Sequence, residues 1–379
     1  MTMHESVRDI VGIYDASASL ARAYTIPAPW YVDPRIDAQE RAAVFGRTWQ
    51  YVGRVDQLAA PGSFITADVA GEPIVIVRGA DNTLRAFFNV CRHHAALVAC
   101  EPAGACSVLQ CPYHGWTYGL DGALKGMPEF EGVENFAKSD NGLVPVRVET
   151  WENFVFVNLS DKGGRKGPHD GGSLTEYLGD AVDRIAPLGL SKLHFFERRS
   201  YALNCNWKVY VDNYLDGGYH VPHLHKSLST VLEYKDYLIE NGPRYCLQWS
   251  PMKTGKDAAT AAVRKGDMAY YYWFYPNFML NWYEGVMDTN LVLPLGIDKC
   301  LVVFDFYFDQ VAGDAETRNR QSIAVAERVQ QEDVDICESV QRGLTSRAYV
   351  AGRLSVRREA GEHLFHRLLH ADLSAADRG

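Results

Sequence analysis

The chain contains no run of about eighteen apolar residues, so no transmembrane helix is predicted. Its opening, MTMHESVRDIVGIYD, lacks the basic-then-apolar build of a secretory signal, and a soluble, cytoplasmic protein is expected. Lysine and arginine never gather into a tract, and acidic residues outnumber basic ones 47 to 38, giving a net charge of −9. That balance argues against nucleic acid as a partner and is compatible with a cationic substrate. A Gly-x-Gly-x-x-Gly turn and a plant-type ferredoxin cysteine run are both missing, which excludes a built-in dinucleotide site or second iron–sulfur carrier. Internal repeats are absent too. Cysteines number only eight in 379 residues, and a chain of that length with 47% apolar residues can build two cores without a disulfide framework.

Two of those cysteines belong to a pattern. Cys91-x-His93 is followed, after seventeen intervening residues, by Cys111-x-x-His114. Thiolates are strong donors to iron and zinc and imidazole is a neutral donor, so two short loops with one of each can grip a metal centre from both sides. In a Rieske [2Fe-2S] centre two cysteines hold one iron and two histidines the other. A structural zinc site is the competing use, but zinc sites usually pair cysteine with cysteine and histidine with histidine. His94 adjoins a ligand and fits neither half of the motif.

Closely spaced strand signals surround this pattern: YVGRV from Tyr51, SFITADV, PIVIVRG, LRAFFNV, LVPVRVETW and NFVFVNL, with a hairpin turn at Asp121-Gly122. They predict a small antiparallel β domain over 43–160, preceded by an arm at 1–42. Asp37 and Glu40 suggest a capping box before a short helix ending near Trp49. The stretch 161–172, rich in glycine and charge, reads as a linker in which His169 is solvated. Beyond it, 161–379 combines one helix over LTEYLGDAVDRI, dense strands from KLHFFERRSYAL to KCLVVFDFYFDQ, and amphipathic helices over 315–342 and 359–373. An α+β fold with a pocket between layers is expected there.

The stretch NWKVYVDNYLDGGYHVPHLHKSL places Asp212, Asn213, Asp216, His220, His223 and His225 close together. Two histidines and one carboxylate form the facial triad of non-haem Fe(II) oxygenases, with positions left open for O2 and substrate. A continuous helix would put His220 and His223 on one face, but Pro222 makes such a helix improbable, so spacing alone leaves the choice of histidines open.

Both stretches resemble the Rieske non-haem iron oxygenase α subunits. Cys-Arg-His-His and Cys-Pro-Tyr-His-Gly-Trp are similar to the cluster loops of that family, and DNYLDGGYHVP, MDTNLVLPLG and EDVDICESVQRGL resemble its choline monooxygenase-like members. The resemblance implies a Rieske domain carrying the cluster on Cys91, His93, Cys111 and His114. It also implies a helix-grip, START-like catalytic domain with iron on His220, His225 and, far along the chain, Asp333, for which Glu332 and Asp335 compete. Family members carry an acid bridging the two metal centres three residues before the first histidine. Gly217 stands there, so Asp216 is the candidate and Asp212 the fallback, while Asn213 matches a position beside the iron.

The implied function is that of a terminal oxygenase. It would use O2 and electrons from a separate NAD(P)H-dependent flavin/iron-sulfur reductase, in a homotrimer, to hydroxylate or N-demethylate a small quaternary ammonium compound. Hydroxylation of an aromatic ring or aromatic carboxylate is the alternative. A non-catalytic Rieske carrier or START-like binder is a third reading, separable by substrate-dependent O2 uptake. For the substrate pocket, His223, Tyr272, Phe274 and Trp282 are the candidates, the aromatics as a box for the cation.

Overall fold

The computed structural model describes residues 6–160, 172–253 and 265–376. His169 and the expected linker up to residue 171 lie outside them. The chain divides into two compact units, Phe45–Tyr177 and a larger one made of Met1–Val44 with Leu178–Gly379.

The strands of the smaller unit pair antiparallel throughout. Strands β1 (Gln50–Arg54), β2 (Ser63–Val69), β3 (Glu72–Arg78), β4 (Leu84–Phe88), β5 (Ala103–Ala105), β9 (Pro145–Trp151) and β10 (Phe154–Asn158) form one sheet in the order β1-β10-β9-β4-β3-β2-β5. Strands β6 (Leu109–Gln110), β7 (Thr117–Tyr118) and β8 (Leu124–Gly126) form a second. The Asp121-Gly122 hairpin joins the last two, with Gly122 at φ +80° as its turn requires. Because side chains alternate along a strand, β3 feeds two cores: Ile74 and Ile76 pack with Ile65, Val155 and Val157, while Val75 and Val77 pack with Phe64, Phe87, Cys91 and Cys111. The cysteine loops are thus seated on one face of the sheet.

The larger unit is a seven-stranded antiparallel sheet with helices. Its strands are β11 (His194–Leu203), β12 (Leu238–Asn241), β13 (Tyr245–Pro251), β14 (Lys265–Phe274), β15 (Phe278–Glu284), β16 (Val286–Gly296) and β17 (Lys299–Phe308), in the order β11-β17-β16-β15-β14-β13-β12. The helices that position the site are α1 (Pro34–Glu40), α2 (Trp207–Leu215), α3 (Ala315–Leu344) and α4 (Ala360–Ala376). Along α3 the buried positions Gln330, Asp333, Cys337, Gln341 and Leu344 recur every three or four residues, a stripe on one face, and α3 packs against α2. Helix α4 packs against α1, α2 and β12. The architecture is α+β, with a Rieske-type β unit and a helix-grip catalytic unit.

Two local expectations are corrected. Asp37 caps no helix; α1 begins three residues earlier, where Asp33 accepts a hydrogen bond from the Arg35 amide and Pro34 occupies the first turn. The single helix expected near 174–185 is two, Leu174–Leu178 and Ala181–Ile185, because Gly179 adopts φ +64° between them.

The start of α2 explains the Asn-Trp-Lys motif. Asn206 caps the helix by accepting from the Lys208 amide at 3.0 Å. Lys208 Nζ then lies 2.7 Å from Glu40 Oε1, and Trp207 Nε1 donates to Glu40 Oε2 at 2.8 Å. Both charged side chains are fully enclosed. Burial pushes the Glu40 carboxyl up, while Lys208 and Trp207 draw it back. A buried pair gains only from its partner, so Lys208→Met, which strands Glu40, is expected to destabilise the catalytic unit by about 3–5 kcal/mol in chemical denaturation, whereas a cost under about 1 kcal/mol would contradict this role.

Candidate active site

The two cysteine loops close in the same way. The Cys91 amide donates to Ala96 O at 2.9 Å and the Ala95 amide returns to Cys91 O at 3.0 Å. Cys111 repeats this with Trp116 O at 2.8 Å and the Gly115 amide at 3.1 Å. The fifth residue of each loop has positive φ, +60° at Ala95 and +71° at Gly115. Buried Asn89 fixes the first loop further, accepting from the Val98 and Ala99 amides and donating to Ala99 O. As a result both thiols are buried and the imidazoles stand toward solvent. The rings of His93 and His114 are 4.8 Å apart, and His93 lies flat on Trp116 at 4.7 Å. Tyr118 Oη lies 3.3 Å from Cys91 Sγ and accepts from the Arg92 amide. Burial, and then the neighbouring Cys91, push the Cys111 thiol up. His93 Nδ1 is buried with no hydrogen-bond partner. Two crowded thiols and an orphaned imidazole nitrogen fit a [2Fe-2S] cluster held by Cys91, Cys111, His93 and His114. His94 also comes close, its ring 3.9 Å from that of His93, although it is exposed.

In the larger unit α2 ends at Leu215 and the chain turns through Asp216, Gly217 and Gly218. Both glycines have φ +68°, and a Cβ at Gly217 would stand 2.1 Å from Arg358 O. An acid therefore has no room at position 217. Asp216 stands beside the first histidine instead: its Oδ2 lies 2.5 Å from His220 Nδ1 and accepts the His220 amide at 3.0 Å, which sets that ring. His225 is buried, with Nδ1 at 2.6 Å from Glu332 Oε2 and Nε2 at 3.1 Å from Asp333 Oδ1. Asn213 Nδ2 donates to the same Asp333 oxygen at 2.8 Å. One donor atom each from His220, His225 and Asp333 lie within 4.8 Å of one another, a spacing that suits one metal ion. Of the competitors, Glu332 grips the far nitrogen of His225 and Asp335 accepts from Gln331 instead.

Two adjoining cavities of about 100 Å³ each share Leu228, Tyr271, Val329 and Asp333. Their sheet wall is a row of residues paired across four strands, Gln248, Tyr271, Asn281 and Asp288. Asp288 is buried and its Oδ2 accepts from Asn281 Nδ2 at 2.7 Å and Asn290 Nδ2 at 3.1 Å. The Tyr271 and Tyr283 hydroxyls meet at 2.6 Å, and Tyr237 stacks on Tyr271 at 6.4 Å.

The expected aromatic box is corrected by this register. Tyr272 pairs with Leu247 and Leu280 on the opposite face of the sheet, where Phe274 stacks on it, and Trp282 packs with Tyr270. None of the three lines the iron-side cavities. His223 is exposed in the turn after Pro222 and is not in their walls either. Asp212 points away from His220 and contacts Tyr31 and His366. Sequence reasoning passed over Tyr271 and Asp288; the one acid in the stretch MDTNLVLPLG was the available signal.

A β unit with a two-cysteine, two-histidine pocket and a helix-grip unit with a two-histidine, one-carboxylate triad together define a Rieske-type oxygenase. Comparison with known proteins agrees. Residues 48–137 match the Rieske [2Fe-2S] domain and residues 190–375 the ring-hydroxylating alpha subunit catalytic domain. The chain is 42% identical over 372 residues to the chloroplastic choline monooxygenase of Arabidopsis thaliana, covering 97% of this chain and 87% of that protein. With the carnitine monooxygenase oxygenase subunit of Acinetobacter pittii it shares 31% over 332 residues, covering 86% and 87%. The solved structure of a quaternary ammonium Rieske monooxygenase, described for carnitine oxidation and inter-subunit electron transfer, superposes with a TM-score of 0.82 at 28% identity, over 97% of this chain and 99% of that one. The chain belongs to the Rieske non-haem iron oxygenases and is an oxidoreductase whose cofactors are a Rieske [2Fe-2S] cluster and a mononuclear iron.

His225→Ala is expected to remove the mononuclear iron while leaving the visible and EPR spectrum of the cluster unchanged. Iron determination together with EPR checks this, and loss of the cluster signal instead would contradict the two-site assignment.

Proposed function

We propose that the chain is the terminal oxygenase of a system that hydroxylates or N-demethylates a small quaternary ammonium compound of the choline or betaine type. The observation that carries this reading is Asp288, a buried carboxylate set among Tyr271, Tyr283 and Phe304 in a cavity that also touches Asp333. A carboxylate supplies the countercharge to a fixed cation, and aromatic faces contribute about 0.5–2 kcal/mol per good contact. The same carboxylate disfavours an aromatic acid in this space, since like charges brought together out of water repel. Choline and carnitine monooxygenases among the relatives point the same way.

Within this proposal Cys91, His93, Cys111 and His114 hold the cluster, and His220, His225 and Asp333 the iron. Bound there, the cluster supplies single electrons and the ferrous ion the reduction of O2. The chain's own contribution is orientation. Asp216 fixes the His220 ring and is the acid through which a neighbouring subunit's cluster is reached, Asn213 steadies Asp333, and the Tyr271–Asp288 row places the substrate's charged end. A homotrimer, a cytoplasmic location and a separate NAD(P)H-dependent flavin/iron-sulfur reductase complete the reading. The inter-subunit transfer described for the related structure supports the assembly of subunits. The division into a Rieske domain over 43–160 and a catalytic domain over 161–379, with an arm at 1–42, belongs to the same proposal.

O2 uptake by the reconstituted system should rise with choline, glycine betaine or carnitine and not with benzoate-type acids; stimulation by the acids alone would overturn the substrate class. Asp288→Asn should raise KM for the cation roughly tenfold, about 1.4 kcal/mol, with the cluster spectrum intact. Asp216→Asn should slow single-turnover electron delivery while mononuclear iron is retained, and unchanged single-turnover kinetics would remove Asp216 from the transfer route.

A further inference from the structure

Away from the iron triad, the catalytic unit contains a second convergence of metal donors. Glu362 and His366 stand one turn apart on α4 and so share a face, and that face meets Asp212 on α2. His366 Nε2 lies 3.0 Å from Asp212 Oδ1 and 3.9 Å from Glu362 Oε1. The three donor atoms fall within 4.8 Å of one another. The closest histidine–carboxylate approach is alike in the two groups, 3.0 Å here and 3.1 Å between His225 and Asp333.

A second feature points to a ligand. Glu362 is only 6% exposed, yet among the described residues its carboxylate has no hydrogen-bond donor and lies directed at His366 and Asp212. Burial first, and then the charges of Asp212, Glu359 and Asp216, push its carboxyl well above the usual range, with no cation acting in the other direction. Asp212, in contrast, is well oriented, its second oxygen accepting from Tyr31 Oη at 2.5 Å. A cavity of about 200 Å³, lined in part by Tyr31, Asp212, Tyr349 and Glu362, reaches the group and has room for water ligands.

We propose that Asp212, Glu362 and His366 form a second metal site, binding a first-row divalent cation such as Mn²⁺ or Zn²⁺. Two carboxylates and a neutral imidazole carry a charge of about −2, which such an ion cancels, and metal–donor distances of about 2.0–2.2 Å fit among atoms so spaced. The donor set is richer in oxygen than the iron triad, which favours Mn²⁺ or Zn²⁺ in a structural and charge-balancing capacity.

The test uses the holoenzyme with cluster and mononuclear iron in place, equilibrated with Mn²⁺ or Zn²⁺, freed of loose metal, and counted by elemental analysis, with Mn²⁺ also followed by EPR. The wild type is expected to retain one divalent ion per chain beyond its iron. Glu362→Gln, which keeps the side chain's shape, and His366→Gln are expected to lose that ion with the cluster EPR signal unchanged. His225→Ala is expected to keep it, because the ion does not sit in the iron triad. No additional ion in the wild type, undiminished uptake by Glu362→Gln, or loss of uptake in His225→Ala would each overturn the proposal. Should His366→Gln fail to fold, the Glu362→Gln and His225→Ala measurements decide the matter alone.

Discussion

The catalytic unit depends on how α2 is anchored. A helix of nine residues is too short to hold its own conformation in water, so its place must come from tertiary contacts. The buried Lys208–Glu40 pair, reinforced by the Trp207 indole, ties its first turn to α1, and Asn206 closes its end. From that fixed start every later residue is placed by helical geometry. Tyr210 reaches Gln330, Asn213 reaches Asp333, Tyr214 reaches Asn281, and the turn after Leu215 delivers His220 and His225. A displaced first turn would therefore shift Asn213, Tyr214 and the turn carrying His220 and His225 together.

Much of this was legible in the chain. Strands such as SFITADV and NFVFVNL showed their run of β-formers and their flanking turns, and in the smaller unit the Asp121-Gly122 hairpin stands where its dipeptide signalled it. The Cys-x-His and Cys-x-x-His spacings were visible because metal chemistry restricts ligand types so strongly. The choice of His225 over His223 came only from resemblance, since a chain bent at Pro222 has no fixed periodicity to read.

The sheet face was not legible. β14 carries aromatics at 270 to 274 without interruption, so alternation cannot say which of them look toward α3. Cross-strand pairing decides it, and pairing is a property of the folded register. Tyr271, aligned with Asn281 and Asp288, lies on the iron side; Tyr272, aligned with Leu280, lies behind it. Glu362 and His366 escaped notice for a similar reason. On an amphipathic helix polar residues are read as solvent-facing, and their burial against α2 is visible only once the two helices are packed.

The close approach of Arg358 O to Gly217 has an evolutionary consequence. A single substitution cannot place an acid three residues before the first histidine, because the segment around Arg358 would have to retreat at the same time. The position is epistatically locked to a stretch more than a hundred residues away.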